Sequence, residues 1–208
     1  MLNINRNIYW SNLFLDFVCN LGLKYACISP GSRSTPLTYS FATNNRIKSF
    51  PIIDERSSAF FALGLSKYSR LPAIIITTSG TAVAETYPAI IEAYQSRTPL
   101  VICTADRPSR LRNTGANQTI NQNNIFKNHI RFFFDIPTLD INKKNIKYFL
   151  NKIAEGFEIC LFRNVGPIHF NFQFDKPFEP NNYTDKISIE IIDYSLKMLL
   201  EKIKSLNN

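Results

Sequence analysis

The run Ala73-Ile74-Ile75-Ile76-Thr77 limits the possible folds more than any other part of the chain. Five apolar or β-branched residues without alternation read as a strand buried on both faces, the mark of a parallel sheet with helices on either side. Such a strand needs paired neighbours and two helical layers, and the flanking sequence offers both. Asn7 can cap a helix reaching about Leu21, with Trp10, Leu13, Phe14, Phe17 and Val18 on one face and Gly22 as its stop. Tyr25–Ile28 is a short buried strand, and a helix from about Thr35 to Thr43 follows it. Phe50–Ile53 is the next strand, and Asp54 is a natural N-cap for a helix over Glu55–Tyr68.

Beyond the central run, Ser79-Gly80-Thr81 turns into one long helix ending near Ser96, and Leu100–Ala105 is another buried strand. Arg107–Gln118 is a polar loop. Phe132–Ile136 and Ile168–Phe172 read as two further strands that bracket a helix from about Lys143 to Phe162. Six strands separated by helices predict an α/β fold, a three-layer α/β/α arrangement around a six-stranded parallel sheet. Residues 175–193 carry Pro177, Pro180 and an Asn-Asn pair and read as a linker, and an amphipathic helix follows over Tyr194–Leu206. The expected division is a domain over 1–174, then a linker and helix over 175–208.

Composition narrows the function classes. Charged residues are 19% and aromatic residues 13% of the 208, which excludes a disordered chain. The apolar runs are too short to span a bilayer, and the first ten residues lack an apolar signal core, so a cytoplasmic protein is expected. Cys19, Cys27, Cys103 and Cys160 are widely spaced, and His129 and His169 are the only histidines, which gives neither a disulfide framework nor a zinc pattern. No metal ligands are expected among these residues. The net charge of +8 divides unevenly, with 14 basic and 7 acidic groups over 1–139 against 10 and 9 over 140–208. The excess consists mostly of separate arginines, among them Arg33, Arg56, Arg97, Arg107, Arg110 and Arg112, without a Lys/Arg run or a recognition-helix signature. That pattern suits forked recognition of small carboxylates or phosphates better than nucleic acid.

In open parallel sheets ligands gather beyond the carboxyl ends of the strands. The loops there are Ser29–Ser34, Asp54–Arg56, Thr78–Thr81 and Ala105–Gln118. Glu55 opens a helix after a buried strand, which fits an acid complementing the helix dipole and equally a carboxylate holding a proton for a heterocyclic nitrogen. Ser32 and Arg33 follow Pro30-Gly31 at a strand-to-helix turn, either an anion-facing turn or an ordinary one. Arg107, Asn117 and Gln118 lie on a loop that could equally be a solvated surface. The chain has neither a Walker motif nor a Gly-x-Gly-x-x-Gly fingerprint.

Six stretches in order carry more than any of these residues singly. They are Ser29-Pro30-Gly31-Ser32-Arg33-Ser34-Thr35-Pro36-Leu37, Asp54-Glu55-Arg56 running on to Gly64, Thr78-Ser79-Gly80-Thr81-Ala82, Thr104-Ala105-Asp106-Arg107-Pro108, Gly115-Ala116-Asn117-Gln118-Thr119-Ile120 and Gly166-Pro167-Ile168-His169-Phe170-Asn171. Together they resemble the N-terminal part of the 2-succinyl-5-enolpyruvyl-6-hydroxy-3-cyclohexene-1-carboxylate synthase family, thiamine-diphosphate enzymes of menaquinone biosynthesis. The likeness runs over about residues 8–180.

The resemblance implies the pyrimidine-binding (PYR) domain of the thiamine-diphosphate fold, in an enzyme that joins decarboxylated 2-oxoglutarate to isochorismate. Glu55 would match the family glutamate that hydrogen-bonds N1′ of the cofactor's aminopyrimidine, and Gln118 would share the catalytic role. Gly31, Ser32, Thr78, Ser79 and Gly80 would line the cofactor. Ser32, Arg33, Arg107, Asn117 and Gln118 would face isochorismate.

The family binds diphosphate and magnesium through a Gly-Asp-Gly segment in a separate C-terminal domain, and no Gly-Asp-Gly occurs here. The expectation is therefore a fragment, a truncated product or one subunit of a split enzyme, needing a diphosphate-binding domain and forming a homo-oligomer. Two alternatives stay open: the small subunit of a split thiamine-diphosphate 2-oxoacid decarboxylase, and a non-catalytic relic or assembly module.

Overall fold

A computed structural model describes residues 1–207. In chain order the elements are β1 (Leu2–Ile4), α1 (Arg6–Asn20), β2 (Tyr25–Ile28), α2 (Thr35–Ala42), β3 (Lys48–Pro51), α3 (Glu55–Ser69), β4 (Ala73–Thr77), α4 (Thr81–Glu85), α5 (Tyr87–Gln95), β5 (Leu100–Asp106), β6 (Phe132–Ile136), α6 (Lys143–Glu158), β7 (Pro167–Gln173), β8 (Asp185–Ile187) and α7 (Ile189–Asn207). Six strands form one sheet in the order β3-β2-β4-β5-β7-β6, and each neighbouring pair is parallel. The central run is β4, buried at all five positions as its sequence requires.

Alternate residues of the strands feed two cores. Ile74, Ile76, Val101 and Cys103 pack against α1, α2, α6 and α7, whereas Ile75, Leu100 and Ile102 pack against α3 and α5. The first core is the more aromatic. Phe14 is wholly buried and meets Phe41, Phe170 and Phe172 at ring distances of 6.1, 5.5 and 5.3 Å. Burying one such ring contributes roughly 2–3 kcal/mol.

The strand order reverses beside β2. From β2 the chain crosses to β3 on one side and then to β4 on the other, so the loops leaving β2 and β4 part at a topological switch point. A crevice is expected there, and it is the place where Ser29–Ser34 and Thr78–Thr81 meet.

Several element ends differ from the sequence reading. The cap of α1 is Asn5, whose side chain accepts from the amides of Asn7 and Ile8. Asn7 lies inside the helix, and its side-chain amide donates to the carbonyls of Asp175 and Pro177 at 2.7 and 2.9 Å. Strand β3 starts and stops two residues early, leaving Ile53 90% exposed. The helix expected over Thr81–Ser96 is broken at Thr86, because Pro88 has no N–H to offer the Ala84 carbonyl. Helix α6 ends at Glu158 and passes into a π-helical turn over Ile159–Arg163.

Residues 175–193, expected as a linker, are packed. Strand β8 pairs antiparallel with β1, and α7 begins at Ile189, five residues before the expected Tyr194. The Asn5 side-chain amide reaches the carbonyls of Pro177, Glu179 and Asn182, and Phe178 is buried in the first core.

Candidate functional site

At the carboxyl end of β4 two turns approach closely. A Cβ on Gly31 would lie 2.5 Å from Cβ of Thr78, so the turn after β2 closes onto the turn after β4 only because residue 31 has no side chain. Gly80 adopts φ +86°, a left-handed conformation that favours glycine, and a Cβ there would meet the Gln118 side chain at 2.9 Å. Thr78 and Ser79 are buried, while Ser32 is exposed at the mouth of the crevice.

Arg107 follows β5 and is buried. Its Nη1 donates to Ser79 Oγ and to the Gln118 carbonyl, the latter at 2.7 Å. Gln118 is itself left-handed at φ 55°, and its Nε2 donates to the Ser79 carbonyl at 3.0 Å. Two loops distant in sequence, Thr78–Thr81 and Ala105–Gln118, are thus joined through Ser79, Arg107 and Gln118. Burial pulls the Arg107 pKa below its ordinary value. The Arg33 pKa is also lowered, first by burial and then by the positive charge of Arg107, so the two guanidinium groups share one region.

Arg33 is engaged on its other side. It donates to the Phe174 carbonyl, its Cζ stands 4.8 Å from the centre of the Phe178 ring, and its Nε is buried without a partner. Asn117 is exposed on the loop that carries Gln118, and its carbonyl accepts from Thr119 Oγ1.

Glu55 is the first residue of α3 and is half-buried. The capping work falls to its neighbour Asp54, whose carboxylate accepts from the Ser57 amide at 2.7 Å. Among the described residues the half-buried Glu55 carboxylate has no ion-pair or hydrogen-bond partner. Ile53, just before the helix, and Phe60 and Phe61, in its second turn, are exposed apolar residues.

The profile described as "Thiamine pyrophosphate enzyme, N-terminal TPP binding domain" matches residues 10–125. The chain belongs to this thiamine pyrophosphate enzyme family. Three similar curated proteins all carry the name 2-succinyl-5-enolpyruvyl-6-hydroxy-3-cyclohexene-1-carboxylate synthase. That of Trichodesmium erythraeum is 45% identical over 184 residues, covering 88% of this chain and 32% of its own length. That of Gloeothece citriformis is 40% identical over 98% of this chain and 35% of its own. That of Halobacterium salinarum is 39% identical over 85% of this chain and 30% of its own. The chain therefore spans about a third of the length of the curated relatives it matches.

The residues present fit one side of thiamine pyrophosphate. A carboxylate without a protein partner at the head of α3 suits a heterocyclic nitrogen. Among the described residues no group of three or more His, Cys, Asp or Glu side chains could hold a metal ion. No described helix is long and apolar enough to cross a membrane.

Behind Arg107 lies a polar layer that the sequence reading did not assemble. Asp106, the last residue of β5, is wholly buried and contacts Arg112 at 2.8 Å. Arg112 also grips Asp135 on β6 with both terminal nitrogens, at 2.8 and 2.9 Å. Asn171 on β7 donates to Asp106 and Asp135 and accepts from Thr104 and Gln122. The Gln122 side-chain Oε1 accepts from the Gly80 amide at 3.0 Å, which ties this layer to the crevice. Burial holds the Asp106 carboxyl above its ordinary pKa, and it pushes that of His169, hydrogen-bonded to Thr104, down to about 3. One signal was available in the sequence: His169, Asn171 and Gln173 alternate with Ile168, Phe170 and Phe172, which is the pattern of a strand with one polar face.

Proposed function

We propose that this chain is the pyrimidine-side portion of a thiamine-diphosphate synthase that joins decarboxylated 2-oxoglutarate to isochorismate, in the biosynthesis of menaquinone. The observation that carries the reading is the unpartnered Glu55 carboxylate at the head of α3, in a chain matched by the cofactor-binding family profile from residue 10 to 125. The shared name of the similar synthases supports the substrate pair.

Glu55 holds or returns a proton at a pyrimidine nitrogen of the bound cofactor, the work of a carboxylate with restricted water. Bound thiamine diphosphate supplies a carbon nucleophile and an electron sink for the decarboxylation. Gly31, Ser32, Thr78, Ser79 and Gly80 line the cofactor side of the crevice. Arg107 and Arg33 attract the carboxylates of isochorismate, and Ser32, Asn117 and Gln118 orient it by hydrogen bonds. Gln118, held against Ser79 and Arg107, is assigned to act with Glu55 on the reacting groups. The arginine excess and the mutual proximity of Arg33 and Arg107 favour a dicarboxylate over a neutral ligand.

Magnesium and the diphosphate are held by a separate diphosphate-binding domain, and the working assembly is a cytoplasmic homo-oligomer that includes it. The test is reconstitution with the C-terminal part of a similar synthase, with thiamine diphosphate, magnesium, 2-oxoglutarate and isochorismate supplied. Product formation by the mixture, and by neither part alone, is expected. Sub-micromolar one-to-one binding of thiamine diphosphate by this chain alone, read by calorimetry with magnesium present, contradicts the division of labour.

A further inference from the structure

We propose that Arg112 is a positioning residue that keeps the Arg107 guanidinium available for an incoming carboxylate by occupying the two acids that would otherwise capture it. The proposal rests on the reading of Arg107 as the anion-binding residue of the crevice.

The geometry is that of a clamp behind one residue. The Arg107 amide donates to Asp106 Oδ1 at 2.7 Å, and the Arg107 carbonyl accepts from Arg112 Nε at 3.2 Å. Both ends of the Arg107 peptide are thus fixed by a charged pair, since Arg112 Nη2 lies 2.8 Å from the other Asp106 oxygen. The same guanidinium spans Asp135 in a fork and reaches Asn123 Oδ1 at 2.9 Å, so it also anchors the far end of the loop that carries Gln118. Arg112 is largely buried in this contact, and Asp106 wholly so.

The distribution of charge follows from these contacts. Two carboxylates, Asp106 and Asp135, face one guanidinium. Arg107 stands next to Asp106 in the chain, yet its side-chain hydrogen bonds go to neutral acceptors, Ser79 Oγ and the Gln118 carbonyl. An arginine held by neutral oxygens keeps its charge for an external anion, whereas one paired with a carboxylate does not. Without Arg112, the buried Asp106 carboxylate loses its counter-charge, and Arg107, the next residue in the chain, is among the remaining cations that feel it. Lysine cannot substitute, because a single ammonium cannot fork onto Asp135 while donating to both Asp106 and the Arg107 carbonyl.

The experiment compares wild type and Arg112→Lys in this chain by guanidinium NMR, with the Arg107 signals assigned through Arg107→Lys. In wild type the Arg107 Nη protons are expected to be slowly exchanging and separately resolved. In Arg112→Lys they are expected to shift or to merge with those of solvent-exposed arginines. Unchanged Arg107 signals in the folded variant overturn the proposal. Should Arg112→Lys fail to fold, Arg112→Gln, which removes the counter-charge from Asp106 while keeping a polar side chain of moderate length, is read in the same way with the same two outcomes. A second arm uses the reconstituted complex, where Arg112→Lys is expected to raise KM for isochorismate about tenfold while leaving the decarboxylation of 2-oxoglutarate within about twofold. An equal loss in both steps, or an unchanged KM, overturns the positioning role. A wild-type complex without synthase activity instead removes the functional reading and leaves the NMR arm to decide on the clamp.

Discussion

The head of α3 and the carboxyl end of β5 carry opposite charges, and they are built in contrary ways. Arg107 is locked from behind by Asp106 and Arg112, and from the front by Ser79 and Gln118. Glu55 has no such support: its neighbour Asp54 does the capping, and exposed Ile53, Phe60 and Phe61 adjoin it. A buried cation with its acids must be fully satisfied within one chain, because an unpaired charge there is costly. A half-buried carboxylate at a helix start carries no such demand and can wait for a surface from elsewhere. Arg107 and its acids are therefore satisfied within this chain, whereas the Glu55 carboxylate has no partner among the described residues.

The comparison breaks first at the locked region. Asp106→Ala removes one acid of a buried pair, and because Asp135 still faces Arg112 the expected cost is at the low end of such losses, about 3 kcal/mol. Urea unfolding measures it, and a loss below about 1 kcal/mol would show that the layer behind Arg107 is not tightly held. Next is the approach of the two turns. Gly31→Ala places a Cβ against Thr78 Cβ rather than against a flexible tip, so a loss of about 1–3 kcal/mol is expected in the same assay.

Acid should also act on the locked region. His169 gains its proton at about 6.5 in the unfolded chain but only at about 3 in the folded one, because it is buried. Between those values the unfolded chain binds more protons, so stability falls as pH is lowered through that window. The contribution is on the order of 1 kcal/mol per pH unit. The measurement is chemical unfolding across the window, where His169→Gln should show a shallower decline than wild type. The smallest effect belongs to the other region. Glu55→Gln should change stability by less than about 0.5 kcal/mol, since nothing among the described residues pairs with that carboxylate.

These contrasts also explain what could be read from sequence. Strand β4, the Asp54 cap and the parallel sheet were legible because burial on both faces and helix capping leave local, short-range marks. The break at Thr86 was present in principle as Pro88, but the strong apolar periodicity on either side outweighed it. Residues 175–193 misled because Pro177 and Pro180 are turn formers whether or not the turn is packed, and their packing depends on Asn5 and Asn7 at the other end of the chain. In the crevice, Gly31, Ser79, Arg107 and Gln118 stood out as polar or bare residues at strand ends. Asp106, Arg112, Asp135 and Asn171 did not, because a network spanning three strands and a loop has no local spacing to betray it. Arg33 was visible as a charge, but its grip on Phe174 and Phe178 was not.

The most direct test of the contrast is the exchange of the C2 proton of thiamine diphosphate, followed by NMR in the complex reconstituted with a diphosphate-binding domain. The structure and the charge distribution call for a fall of about 10²–10⁴-fold in the exchange rate in Glu55→Gln, with the fold and the Arg107 contacts unchanged. Equal exchange rates in wild type and Glu55→Gln would contradict the account and leave Glu55 as an acid at the start of a helix.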